Sequence, residues 1–579
     1  MTTAAEPRPD LGTGATAAAA TDTSVAADDD GERRYRRIAV VTLLAVTLAL
    51  IAAGLILDDG HFVYVFDDTA IHMSMANQLL HHGTWGVTAG HYTSASSAPG
   101  WTLLVTGGTA MMPFLATYVP LLLDLLAALW VIHLVGRHQT FLRPGRHDLV
   151  AGGFVVLLVA VVWFLPGLVL TGMEHVLQTA LLLVALVLTE RLTSGDTDRR
   201  TVVLAALTML AAGTIRFETL FVAAGVVLAL GAAALDRLGP RTLTRARAAR
   251  LAAVLTGAAL LPVVITGAVN LAFGDSFLPN SIIAKTGQGR ALKYARSPFA
   301  ALEKTVSDPL LFALVGAAVL YLAWAWWRPS DRPARNVTVT LVFATTAVLH
   351  AFCAEFGWFE RYQAYLVIAG TFVLFRIAGE RCTGAARRHA LICMLVLLPV
   401  LGMGKAILLA EAPIGMSNTY RQRFQLARFL DRYYDGKGFV TGELGYTTLE
   451  HDGPVVDVLG LGTHAIAVQR QRGVETVDAG TVRRLARDAD AQVMAFYARN
   501  PGFEIPKSWR LVAQWDLDEP EITIPDPVVA FYAPTKASAK VLDRNLHRFQ
   551  SQLPSRVHTT YAAELRREFL DQLGRNGSG

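Results

Sequence analysis

Two adjacent carboxylates, Asp67 and Asp68, stand in the stretch Phe66-Asp67-Asp68-Thr69-Ala70-Ile71-His72, shortly after a long apolar run. Charge at such a boundary is costly unless it is solvated, paired or used. A carboxylate there can take the proton of a hydroxyl that attacks an anomeric carbon, and it suits a transition state in which the sugar becomes positive. The structural alternative is that the pair caps an amphipathic helix over 69–81. Glu174 lies between two further apolar runs, where a buried carboxylate binds a cation, a hydroxyl or a basic partner, or caps the next run. Arg216 and Glu218 interrupt apolar sequence at one level and either serve a ligand or neutralise each other. Lys285 and Arg361 are suited to phosphate, arginine through a bidentate fork and lysine as a point charge; both also suit interfacial anchoring. Asn280, after Pro279, positions hydroxyls or closes a turn. His72 falls one helical turn from Asp68 and reads as a surface residue of an interfacial helix. His81, His82 and His91 make no metal spacing with an acid, so no metal site is assigned, and a divalent cation held by Asp68 stays open.

The elements that must position these groups are membrane helices. The chain has 579 residues, 53% hydrophobic and only 17% charged. A soluble protein carries about a quarter charged residues. The apolar residues cluster in runs near 38–57, 101–136, 148–166, 176–190, 201–214, 218–235, 251–273, 309–327, 337–353, 363–378 and 390–409, which makes eleven. Runs of this kind suit helices crossing a bilayer core of roughly 30 Å. Pro113 and Pro120 interrupt the long run 101–136, which reads as one broken crossing, because two would invert every later loop against the charge pattern. One set of connections is short and basic: 137–147, 191–200, 236–250, 328–335 and 376–388. The other set is acidic, aromatic and rich in Asn and Gly: 58–100, 172–175, 216–218, 274–308 and 355–361. The positive-inside rule puts the basic set in the cytoplasm. The net charge of +5 comes largely from those loops, which points to topology and away from nucleic acid.

Residues 1–32, rich in Ala, Thr, Asp and Gly, read as a disordered cytoplasmic tail. Residues 33–410 form the transmembrane domain. No small-residue cleavage site follows the first run, so it reads as an uncleaved helix. Residues 418–579 read as an extracytoplasmic α/β domain with strands near 438–441 and 454–458 and a charged helical tail around 533–573. Trp509, Trp515, Tyr446 and Tyr532 suit either that domain's core or a sugar-stacking face. The three cysteines form no framework.

The acidic pair, the Gly83 turn and the Ser-rich segment Ser94 to Trp101 together resemble the GT-C superfamily of integral membrane glycosyltransferases, and within it the bacterial cell-wall terminal arabinofuranosyltransferase-like group. Thr171-Gly172-Met173-Glu174, Arg216-Phe217-Glu218, Leu278-Pro279-Asn280-Ser281 with Lys285, Arg361-Tyr362, Gly445-Tyr446 and Val456 to Leu461 are similar to further elements of that group, in the same order. The resemblance spans roughly 60–465. It implies a multi-pass helical enzyme of the bacterial cytoplasmic membrane that takes sugar from a polyprenyl-phosphate donor to a glycan, lipid or protein acceptor on the outer face. It also implies Asp67 as the base with Asp68 orienting it, Glu174 and Glu218 shaping the pocket, Asn280 and Tyr362 on substrate, and Lys285, Arg361 and Arg216 holding phosphate. A lipid-linked glycan flippase and a non-catalytic envelope assembly protein are the rival readings. A flippase should show ion pairs buried mid-helix and paired halves, and neither is visible.

Overall fold

A computed structural model describes residues 13–235, 242–286, 297–328, 333–499 and 501–567; the side chain of Lys285 lies outside the described residues. Among the described residues, eight helices are long and apolar enough to cross a membrane: Asp29–Leu57, Pro113–His138, Leu149–Val169, His175–Thr193, Arg245–Ala272, Pro309–Trp327, Ala334–Cys353 and Gly384–Leu401. The other three apolar runs are also helical, as Arg199–Ile215, Thr219–Ala234 and Ala364–Arg381. The first two of these reach only about 24–26 Å at 1.5 Å per residue. Ala364–Arg381 is sheathed by its neighbours along its first half and carries Arg376, Glu380 and Arg381 near its end. The chain is thus a multi-pass helical membrane protein.

The long run 101–136 resolves as Pro113 dictates. Helix Pro99–Met111 stops before it, a 3-10 turn spans Pro113–Tyr118, and Val119–His138 follows, so the run breaks into two helices of which Pro113–His138 is long and apolar enough to cross. The expected disordered tail differs: the first helix runs Thr13–Leu57 without a break, and residues 1–12 lie outside the described residues. Its alanines favour a helix once an anchored helix exists to extend.

The basic connections meet one another. Arg387 donates to the carbonyls of Phe141 and Arg143, each at 2.9 Å, Arg335 Nε reaches Glu380 Oε1 at 2.6 Å, and Arg247 donates to the Thr197 carbonyl at 2.9 Å. Two of the acid-rich connections, 58–100 and 274–308, meet the C-terminal domain instead. That domain holds a mixed sheet of β1 (Gly438–Thr441), β2 (Val455–Asp457), β3 (Ala491–Tyr497), β4 (Arg510–Leu517), β5 (Val528–Ala533) and β6 (Val557–Tyr561), in the order β2-β1-β3-β5-β4-β6. Strands β1, β2 and β3 are parallel, and the rest pair antiparallel. Both strands expected from sequence are present. The helical tail is corrected: helix Lys536–Phe549 ends and β6 covers the edge of β4. An open β4 edge leaves backbone donors and acceptors unpaired, and Val557, Thr559, Thr560 and Tyr561 suit a strand. Trp509 and Trp515 are buried in that domain, as the core reading requires, Tyr532 packs half-buried on Phe496, and Tyr446 is buried instead against the membrane domain.

Candidate active site

Helix Asp68–His82 lies under the C-terminal domain, packed on helices Pro99–Met111 and Gly445–Leu449. Its two leading acids part company. Asp67 is buried; its Oδ2 accepts the Gly445 N–H and its Oδ1 the Tyr446 N–H, each at 2.8 Å. A Cβ on residue 445 would stand 2.1 Å from the Asp67 carbonyl oxygen, so only glycine permits this approach. Asp67 therefore bolts the first long loop to the C-terminal domain and does not line the cavity. Nor does it cap its helix through its side chain. Beside it, burial pushes the Glu443 carboxyl up to about 8, against the pull of Arg423.

Asp68 faces a cavity of about 370 Å³. Its side chain is 37% exposed and pairs with Arg361, whose own side chain is 2% exposed. The Arg361 guanidinium lies 4.7 Å from the Phe66 ring and 4.9 Å from the Tyr362 ring, and its Nη2 donates to the Tyr362 hydroxyl at 3.1 Å. Among the described residues, its Nε and Nη1 have no hydrogen-bond partner. Buried donors without partners at the wall of a cavity call for an acceptor from a ligand.

Arg216 forms the second positive wall. Its Nε donates to Glu218 Oε2 at 3.0 Å, its Nη2 to Glu218 Oε1, and its Nη1 to Glu174 Oε1 at 2.9 Å. Burial disfavours charge on Glu174, yet His175 and then Arg216 beside it hold its carboxyl below the usual carboxylate range. Glu174 stands behind Arg216, away from the cavity lining. Arg216 and Glu218 pair with each other, and Arg216 also fronts the cavity.

His72 is corrected from surface to interior. Its Nδ1 lies 2.8 Å from Thr102 Oγ1 and its Nε2 3.8 Å from Glu174 Oε2, and it also lines the cavity. The apolar face of helix Asp68–His82 is packed on both sides, which leaves a residue one turn after Asp68 nowhere else to go. Asn280 is buried, with its Oδ1 2.8 Å from His464 Nδ1 and its N–H donating to the Ser94 carbonyl at 2.9 Å. It fastens loop to domain and does not reach the cavity. Tyr362 lines the wall between the cavity and a second chamber. Sequence reasoning missed His175, Ser97, Glu355 and Trp358, which also line the cavity. The histidine follows Glu174 directly, and that adjacency was the available signal.

The C-terminal domain supplies the roof. Asp457 accepts the N–H groups of Leu459 and Gly462, each at 2.8 Å, and the resulting turn presents Leu459 and Leu461 to the cavity. Beyond Arg216 and Tyr362 the cavity adjoins a chamber of about 360 Å³, walled by Phe217, Leu220, Phe221, Val263, Leu278 and Ile282. Among the described residues, no three His, Cys, Asp or Glu side chains converge to hold a metal ion.

Residues 414–533 match a family described as a domain of unknown function (DUF8728). No curated protein matches the chain. Among solved structures it is similar to ArnT from Cupriavidus metallidurans bound to undecaprenyl phosphate, at 14% identity and a TM-score of 0.48, over 86% of this chain and 98% of that one. It is also similar to the apo oligosaccharyltransferase of Archaeoglobus fulgidus, at 12% identity and a TM-score of 0.43, over 88% of this chain and 78% of that one. A third likeness is to AglB of the same organism in complex with an inhibitory peptide and a dolichol-phosphate, at 12% identity and a TM-score of 0.39, over 88% and 78% of the two chains. Identity this low, with TM-scores under 0.5, leaves the chemistry to be carried by the residues of the cavity.

Proposed function

We propose that the chain is a GT-C-type glycosyltransferase that moves a sugar from a polyprenyl-phosphate carrier to an acceptor hydroxyl. The observation that carries this reading is a partly exposed carboxylate, Asp68, held against a buried Arg361 with unpartnered donors, in a cavity that adjoins an apolar chamber. That combination suits an anionic headgroup on an apolar chain with a nucleophile beside it. In the reaction, the acceptor oxygen forms a bond to the anomeric carbon, its proton passes to Asp68, and the bond from that carbon to the phosphate oxygen breaks. Arg361 and Arg216 offset the charge that gathers on the departing phosphate, where pre-placed donors act most strongly. The first isoprene units occupy the chamber lined by Phe217, Phe221 and Leu278. Asp67 and Asn280, given substrate roles by resemblance, serve here to seat the C-terminal domain over the cavity.

The test is transfer in nanodiscs across a donor-lipid titration with acceptor saturating. Arg361→Ala is expected to lose about 2–4 kcal/mol of transition-state stabilisation. Arg361→Lys recovers only part, because the fork that reaches both Asp68 and phosphate is gone. Wild-type donor dependence in Arg361→Ala would remove Arg361 from the phosphate site.

The same reading puts the cavity and the C-terminal domain on the outer face of a bacterial cytoplasmic membrane, with the basic connections inside. Support comes from the charge bias and from the two sets of connections meeting at different ends of the fold. Single cysteines at His61 and Lys536 are expected to react with an impermeant maleimide in intact cells, and one at Arg387 only after lysis. The reverse pattern would put the cavity on the wrong side for an outer-leaflet donor.

A further inference from the structure

The segment leading into Arg361 is left-handed. Gly357, Trp358, Phe359 and Glu360 have φ of 78°, 47°, 63° and 63° in succession. Glycine takes this conformation freely, but bulky residues with a Cβ avoid it, and a run of three must be held by its surroundings. The holding groups are visible. Gln363 accepts the Gly357 N–H at 2.9 Å through Oε1, and its Nε2 donates to Glu360 Oε2 at 2.7 Å and to Asp308 Oδ2 at 3.4 Å. Lys405 Nζ donates to Glu360 Oε2 and, at 3.3 Å, to Asp308 Oδ2. The other oxygen of Asp308 caps helix Pro309–Trp327 by accepting the Leu311 N–H at 2.9 Å. Lys405, Asp308 and Gln363 are all buried. On the other side of the turn, Phe359 packs edge-on against Phe66 at 5.5 Å and Phe164 at 5.1 Å, and Trp358 stacks on Phe66 at 5.9 Å. The preceding carbonyls of Ala354 and Glu355 are held by Lys304 Nζ at 3.0 Å and His350 Nε2 at 3.1 Å.

We propose that Lys405, with Asp308 and Gln363, is a positioning residue for Arg361: it grips Glu360 and so keeps the strained left-handed turn that aims the guanidinium at Asp68 and the cavity. The proposal rests on the reading of Arg361 as the donor-phosphate group. Lys405 does not line the cavity, so its effect on turnover must pass through the turn. A turn released from Glu360 relaxes toward negative φ, which redirects the chain at residue 361 and draws the guanidinium off Asp68. A buried lysine with two carboxylates is by itself no more than a structural ion pair. What distinguishes a clamp is that it opposes strain, and strain can be removed by other means.

The test uses the full chain in nanodiscs. Hydrogen exchange of residues 354–364, without substrate, reads the turn directly. Lys405→Met and Glu360→Ala are expected to lose protection there by about tenfold or more, the weight of roughly one left-handed residue. Glu360→Gly loses the same carboxylate but lifts the strain at that position, so it is expected to keep several-fold more protection and turnover than Glu360→Ala. That order checks the strain at residue 360 itself, and whether Lys405 acts through Arg361 is read from the kcat comparison. In turnover, Lys405→Met should lower kcat several-fold in the wild-type background and have no further effect on Arg361→Ala. Unchanged exchange in Lys405→Met, Glu360→Gly no better than Glu360→Ala, or an equal loss of kcat in both backgrounds overturns the proposal. Loss of protection in Lys405→Met, with donor dependence unaltered in both that variant and Arg361→Ala, leaves the clamp standing and sinks the phosphate reading instead.

Discussion

Asp68→Asn is expected to lower turnover by about 10²–10⁴-fold, the usual weight of a general base, while the protein stays folded. Asparagine keeps the shape and can still accept a hydrogen bond from Arg361, but it cannot take a proton from the acceptor. Asp67→Asn is expected to act differently. Both Asp67 oxygens receive backbone N–H groups from Gly445 and Tyr446. An amide offers one acceptor and turns its own N–H₂ toward the other donor. A buried donor left unsatisfied costs about 1–3 kcal/mol. The loss falls on the joint that seats Leu459 and Leu461 over the cavity, so activity should fall in step with stability. Thermal unfolding followed by intrinsic fluorescence, together with initial rates per folded protein, separates the two cases. A wild-type rate in Asp68→Asn would exclude its carboxylate as the base. Full stability with no turnover in Asp67→Asn would return that role to Asp67.

Arg216→Met is expected to destabilise the protein by about 3–5 kcal/mol, because it strips the counter-charge from two carboxylates at once. Glu174 is 1% exposed and Glu218 17% exposed, and Arg216 bonds to both. The missing charge matters more than the missing contacts, since methionine fills similar volume. Adding Glu174→Gln and Glu218→Gln to Arg216→Met should therefore recover most of the apparent Tm. Turnover should not recover with it if Arg216 also faces the donor phosphate. An Arg216→Met protein that melts like wild type would mean the carboxylates find other partners, and the positive wall of the cavity would have to be drawn without Arg216.

Hydrophobic runs, alternating loop charge and the change of composition after residue 410 were enough to read a multi-pass membrane protein with a C-terminal α/β domain, because burial in lipid and burial in a sheet each impose their own period on a sequence. The acidic pair, Arg216 and Arg361 were legible for a related reason: charge at a membrane boundary is conspicuous. Which of the two acids meets the cavity was not legible. Successive helical residues point about 100° apart, so one of the pair must turn away, and only the approach of Gly445 from nearly four hundred residues downstream decides which. His72 and Asn280 turned inward for the same kind of reason, since their partners Glu174 and His464 come from other elements. Least legible was the turn that aims Arg361. Gly357 alone signals a left-handed backbone, while Trp358, Phe359 and Glu360 argue against one. The chain adopts it because Lys405, Asp308 and the ring of Phe66, drawn from distant parts of the sequence, act with the neighbouring Gln363 to outweigh a local preference that no reading of those three residues could have reversed.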